Sequence, residues 1–147
     1  MNRKTLFLIM MFLSSIAQAS SKIIFPESIT VFSNDKYFIN KNVKFPMSTT
    51  YKVINIDKLG HIDKRISKYL PPNEAEAKKA FSILLNSKQW PAIASEIKSA
   101  AFDIAKAAQY SLKKVPAIIF NEKEVIYGVT DIHEALILYT KSKRNVQ

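Results

Sequence analysis

The sequence contains no cysteine. The thiolate is the nucleophile of thiol enzymes and the ligand of zinc-thiolate sites, so both classes are excluded, along with disulfide cross-linking. The fold must therefore be held by packing alone. Glycine is nearly absent too: Gly60 and Gly128 are the only two in 147 residues. A glycine-rich phosphate loop cannot be built from them. Beyond Arg3, arginine occurs only at Arg65 and Arg144. That scarcity weighs against base readout and bidentate phosphate clamping, which favour the guanidinium fork. Histidine is limited to His61 and His133, on separate predicted elements and without a second ligand at metal spacing, so no metal site is expected. Ser67, Ser95 and Ser111 fall in helical stretches without a nucleophile elbow. No catalytic residue and no cofactor are expected.

Acidic residues are few: 12 against 22 lysines and arginines, a formal charge of +10. Long apolar runs are missing, with one exception at the N-terminus. Asn2-Arg3-Lys4 is followed by an apolar stretch over residues 6–16, then Ala17-Gln18-Ala19. A positive start, an apolar core of about a dozen residues and a small-x-small site predict a secretory signal peptide cleaved after Ala19. The run is short of the roughly 20 residues a membrane-spanning helix needs. The expected mature chain is one domain, residues 20–147, in the periplasm. Removing Arg3 and Lys4 from +10 leaves +8. The lysines are scattered (Lys36, Lys52, Lys68, Lys79 among them), which predicts weak, non-specific attraction to anionic membrane or DNA.

Along the mature chain, Ser28-Ile29-Thr30-Val31-Phe32 reads as a strand. Residues 33–50 read as a long irregular loop, and Tyr51-Lys52-Val53-Ile54-Asn55-Ile56 as a second strand. Residues 57–69 predict a short helix with Ile62, Ile66 and Tyr69 inward, stopped by Pro71-Pro72. Asn73 is a predicted N-cap for a helix with Ala77, Ala80, Phe81, Leu84 and Leu85 in its stripe, broken at Trp90-Pro91. Residues 92–112 predict a further helix facing inward through Ile93, Ile97, Ala101, Ile104, Ala108 and Leu112. Val115-Pro116-Ala117-Ile118-Ile119-Phe120 is continuously apolar, as a strand covered on both faces is. Val125-Ile126-Tyr127 completes a hairpin that Gly128 ends. Thr130 or Asp131 caps a last helix with Ile132, Ala135, Leu136 and Tyr139 inward, and residues 141–147 read as a frayed basic tail. The order is β-loop-β-helices-β-β-α, a mixed sheet with helices on its faces.

That order is similar to thioredoxin, with an enlarged central helical segment. The resemblance implies a cis peptide bond before Pro116, facing the residues after the first strand. Where thioredoxins carry two cysteines, this sequence has Ser33-Asn34-Asp35-Lys36-Tyr37. The redox centre is therefore missing; a periplasmic relative of the thiol-disulfide oxidoreductases, acting as a thiol-disulfide helper, is the alternative that the lack of cysteine opposes. Ile29-Thr30-Val31-Phe32, Val53-Ile54-Asn55-Ile56-Asp57, Val115-Pro116-Ala117 and Tyr127-Gly128-Val129-Thr130-Asp131 together resemble the integrating conjugative element protein family. That is a small exported family encoded beside conjugative secretion genes. It is also similar to pilin-assembly proteins of plasmid conjugation, which carry a like Val-Pro-Ala strand. The resemblance implies a non-catalytic accessory of a conjugative type IV secretion system, with other secretion-system proteins as partners. The expected binding surface is Ser33, Asn34 and Asp35 facing Val115 and Pro116, where backbone next to the proline can pair with an extended partner. A basic module binding DNA or envelope is the other alternative.

Overall fold

A computed structural model describes residues 22–145. The proposed leader, residues 1–19, lies outside them. Four strands and four helices follow in the order β1 (Ser28–Ser33), β2 (Thr50–Asn55), α1 (Lys58–Ser67), α2 (Glu74–Leu85), α3 (Trp90–Gln109), β3 (Ala117–Phe120), β4 (Glu124–Tyr127) and α4 (Ile132–Arg144). The protein is a mixed α/β fold built on one sheet of order β2-β1-β3-β4. β1 runs parallel to β2 and antiparallel to β3, and β3 and β4 form the antiparallel hairpin.

Side chains alternate across a strand, so each strand feeds both faces of the sheet. Ile29 and Val31 of β1 lie opposite Phe120 and Ile118 of β3. Together they meet Ile132, Ala135, Leu136 and Tyr139 of α4. On the other face, Phe32 opposite Ala117 joins Ile54 and Ile119, and this layer is covered by Ala107, Tyr110 and Leu112. All four β3 residues are buried because both faces are covered. Full burial of one side chain such as Phe120 contributes about 2–3 kcal/mol.

Parallel neighbours need a crossover, most often a helix. Here residues 34–49 cross without one, as the sequence leads one to expect, and the loop is pinned at three points. The Asn40 N–H donates to the Thr130 carbonyl at 2.9 Å, and the Ile132 N–H donates to the Asn40 carbonyl at 3.0 Å. Phe45 stacks on Tyr51 with ring centroids 5.0 Å apart. The Thr49 hydroxyl donates to the Pro26 carbonyl at 2.8 Å.

Several expectations need correction. α1 stops at Ser67, and Tyr69, expected inward, is 76% exposed beyond its end. Pro71-Pro72 therefore lie past a helix that has already ended. The Asn73 cap is as expected, accepting from the Ala75 and Glu76 N–H groups. The α2 stripe, however, contains no buried residue. α3 begins at Trp90, with Pro91 in its first turn where a missing N–H costs nothing, and it ends at Gln109. Its buried position is Ala100, with Ala107 half-buried, while Ala101 and Ala108 are exposed and Leu112 lies outside the helix. Alanine on every side of this helix blurs the period, so a spacing of three was misread as four. Residues 141–144 are helical rather than frayed. Lys143 pairs with Glu124, and Arg144 donates to the Lys22 carbonyl at 2.9 Å. Among the described residues no helix is long and apolar enough to cross a membrane.

Candidate functional site

The two parallel strands end together, β1 at Ser33 and β2 at Asn55, which are register partners. Side chains and loops beyond the carboxyl ends of parallel strands are where α/β sheets gather functional groups. The Ile56 N–H donates to the Ser33 carbonyl at 2.9 Å, so the two exits leave side by side.

Ser33 is buried, and its hydroxyl reaches the Tyr37 carbonyl at 3.2 Å. Asn34 makes a side-chain turn, its Oδ1 accepting from the Lys36 N–H at 3.2 Å. That turn delivers Asp35 to the β2–α1 corner. There the Asp35 carboxylate accepts from Asn55 Nδ2 at 2.8 Å and meets His61 Nε2 at 2.5 Å. The Asp35 N–H donates to the Asp57 carboxylate at 3.2 Å. Hydrogen bonding from Asn55 first, and then from His61, holds the Asp35 carboxyl below its usual range. Asp35, Asp57, Gly60 and His61 line an open depression of about 580 Å³. Among the described residues no three His, Asp or Glu side chains gather to hold a metal.

On the β3 side, the Val115–Pro116 peptide bond is cis. Phe32 pairs with Ala117, so the register continues to bring Ser33 towards Pro116. Pro116 is buried, and its carbonyl accepts from the Gly128 N–H at 2.9 Å. Gly128 sits at φ +81°, a conformation that side-chain-bearing residues rarely adopt. Val115 is half-buried, and among the described residues no backbone hydrogen bond involves it.

Of the five residues expected to form a surface, then, Ser33 and Pro116 are interior. Asn34 and Val115 are partly accessible, and Asp35 is exposed but engaged with Asn55 and His61. His61 was missed from sequence. It stands 26 residues from Asp35, and no local spacing announces the pair.

The Tyr127-Gly128-Val129-Thr130-Asp131 motif has a structural explanation. Tyr127 and Val129 pack on opposite faces of the sheet, in the layers of Phe32 and Val31 respectively. Asp131 is the N-cap of α4, one carboxylate oxygen accepting from the His133 and Glu134 N–H groups. The other accepts from Asn40 Nδ2 at 2.7 Å. One side chain thus starts the last helix and holds the crossover loop.

Comparison with curated proteins and with solved structures returned no match. Residues 28–145 match the model of a family described as "Protein of unknown function (DUF1525)". That span is most of the sequence, and the chain belongs to this family.

Proposed function

We propose that this family member is an exported, non-catalytic accessory of a conjugative type IV secretion system, acting in the periplasm through protein contacts. In this reading it is a thioredoxin-like domain that has lost its redox centre. The observation that carries the proposal is the arrangement at the end of β1. Ser33-Asn34-Asp35-Lys36-Tyr37 runs from the end of β1, which lies next to β3 and the proline before it; in this reading that is where a thioredoxin would carry its cysteines, and the sequence holds none. The sheet order and the closing helix support the thioredoxin-like assignment. The resemblance of Val115-Pro116-Ala117 and Tyr127-Gly128-Val129-Thr130-Asp131 to the integrating conjugative element proteins supports the role. Val115 and Asn34, the partly accessible residues of the site, are where an extended partner segment would add its backbone.

The test is conjugative transfer from a donor with the gene cleanly deleted. Complementation uses either the full chain or a version lacking residues 1–19. Loss of transfer restored only by the full chain is the expected result. Unchanged transfer in the deletion strain would remove the conjugation role. Restoration by the leaderless version would remove the periplasmic one.

A further inference from the structure

α2 is a helix without a buried residue, although it is apolar enough to have one. Its half-buried side, through Ala80 and Leu84, forms one wall of a groove. Ile66 of α1 and Ile93 of α3 form the others, and the space enclosed is about 700 Å³. Such a volume lies within the roughly 300–1,000 Å³ of ordinary ligand-binding clefts. Two large side chains stand on the rim: Tyr69 at 76% exposure and Ile83 at 73%. Isolated exposed apolar residues need no explanation, but a cluster around a concavity marks an interaction site.

The charge around the groove is positive on balance: Arg65, Lys68, Lys79 and Lys88 stand against Glu76 and Glu96. Glu96, the carboxylate that lines the groove, is engaged with Arg65 at 2.5 Å. Lys88 lines the groove. Lys79 precedes Ile83 by one helical turn, and Lys68 adjoins Tyr69 in sequence. The two acids of α2 both lie in its first turn: Glu74 pairs with Lys78 at 2.6 Å, and Glu76 stands one helical turn before Ala80, so it offsets part of the positive charge on this side.

We propose that this groove seats a short amphipathic segment of another protein, apolar on one side and acidic along its flanks. The apolar side fills the space between Ile66, Leu84 and Ile93, and the acidic flanks meet Lys68, Lys79 and Lys88. A second copy of the chain is opposed by charge, because it brings the same lysines face to face. A flat bilayer surface cannot enter a concavity walled by three helices. This site is separate from the ends of β1 and β2, and the inference does not depend on the conjugation role.

The probe is a labelled helical peptide of about four turns with leucine at i, i+3, i+4 and i+7 and glutamate beside the stripe. Its control carries lysine in place of glutamate. Fluorescence anisotropy with the purified protein is expected to show the acidic peptide binding at least about tenfold more tightly than the control, and weakening as salt rises. Ile83→Asp, at a position already exposed, should leave the urea midpoint unchanged while reducing binding about tenfold or more. Lys79→Glu with Lys88→Glu should abolish the preference for the acidic peptide. Equal binding of both peptides, or binding indifferent to Ile83→Asp, overturns the proposal. So does a protein dimer that Ile83→Asp dissolves. Ile83-dependent binding to phosphatidylglycerol vesicles without peptide binding assigns the surface to membrane and equally overturns it.

Discussion

Replacing Asp131 by alanine removes three hydrogen bonds that serve two different elements. Two are the cap on α4, to His133 N–H at 2.8 Å and Glu134 N–H at 3.1 Å. Loss of an N-cap of this kind costs about 1 kcal/mol. The third is the bond from Asn40 Nδ2 at 2.7 Å. It is exposed, so its loss adds about 0.5 kcal/mol. Local fraying cannot absorb the damage cheaply, because Ile132, Ala135 and Leu136 in the first turns of α4 are core residues. The whole cost, about 1.5 kcal/mol, should therefore appear in global stability. For a domain of this size it amounts to a fall in Tm of about 3–6 °C. The assay is urea unfolding followed by circular dichroism, with Asp131→Asn as the near-isosteric control retaining most of the cap. Asn40→Ala completes a double-mutant cycle, with an expected coupling of about 0.5 kcal/mol. A loss below about 0.5 kcal/mol, or no coupling to Asn40, would refute the view that Asp131 joins the crossover loop to the last helix.

Three further outcomes are expected. Phe120→Ala empties a site buried on all sides and stacked 4.7 Å from Tyr139, and should cost about 3–5 kcal/mol in urea unfolding; a loss under about 1.5 kcal/mol would contradict the packing described. Asn121 holds φ +49° while its side chain bonds the Glu27 and Ser28 N–H groups and the Tyr139 hydroxyl, so Asn121→Ala should cost about 2–3 kcal/mol and Asn121→Gly less, with the reverse order refuting a backbone contribution. Asn55→Ala should raise the Asp35 pKa towards the ordinary aspartate range, read by carboxyl-carbon NMR; an unmoved midpoint would show that Asn55 is not the main cause. Because that carboxyl is held low in the folded state, its contribution to stability is present above the unfolded pKa. It disappears as pH falls through the folded value, and the Asn55 variant should lose part of this acid dependence, the part that His61 supplies remaining.

Much of this architecture was legible because strand and helix periods differ. The all-apolar Ala117–Phe120 run, the β-branched and aromatic β1 and the Ile132, Ala135, Leu136, Tyr139 stripe each have one reading. α3 resisted because alanine is small and apolar on every side, so composition does not say which face is inward. α2 resisted for a different reason: its stripe is real, yet the described residues offer little to bury it. At the candidate site, Ser33, expected in the loop, is the last residue of β1, and Pro116, expected inside a strand, precedes β3; their burial follows from tertiary packing that sequence does not display. The Asp35–His61 pair is wholly non-local. Asp131 was singled out as a family signature and predicted as a cap; its hold on Asn40, 91 residues away, became visible only in three dimensions.

The place of β1 in the sheet has a consequence for the order of assembly. Among the described residues the first strand synthesised is an interior one, flanked by β2 on one side and β3 on the other. Its β2 neighbour is available as soon as residue 55 has been made, but its other edge stays open until residues 117–120 arrive. For all the intervening chain, Val31 and Phe32 have no β3 to cover them, and a bare strand edge is a template for pairing with another molecule. Non-local pairing of this kind is also intrinsically slow. A nascent or truncated chain ending before Ala117 should therefore be the aggregation-prone form, and a factor shielding that open edge would be needed earlier than any partner of the finished fold.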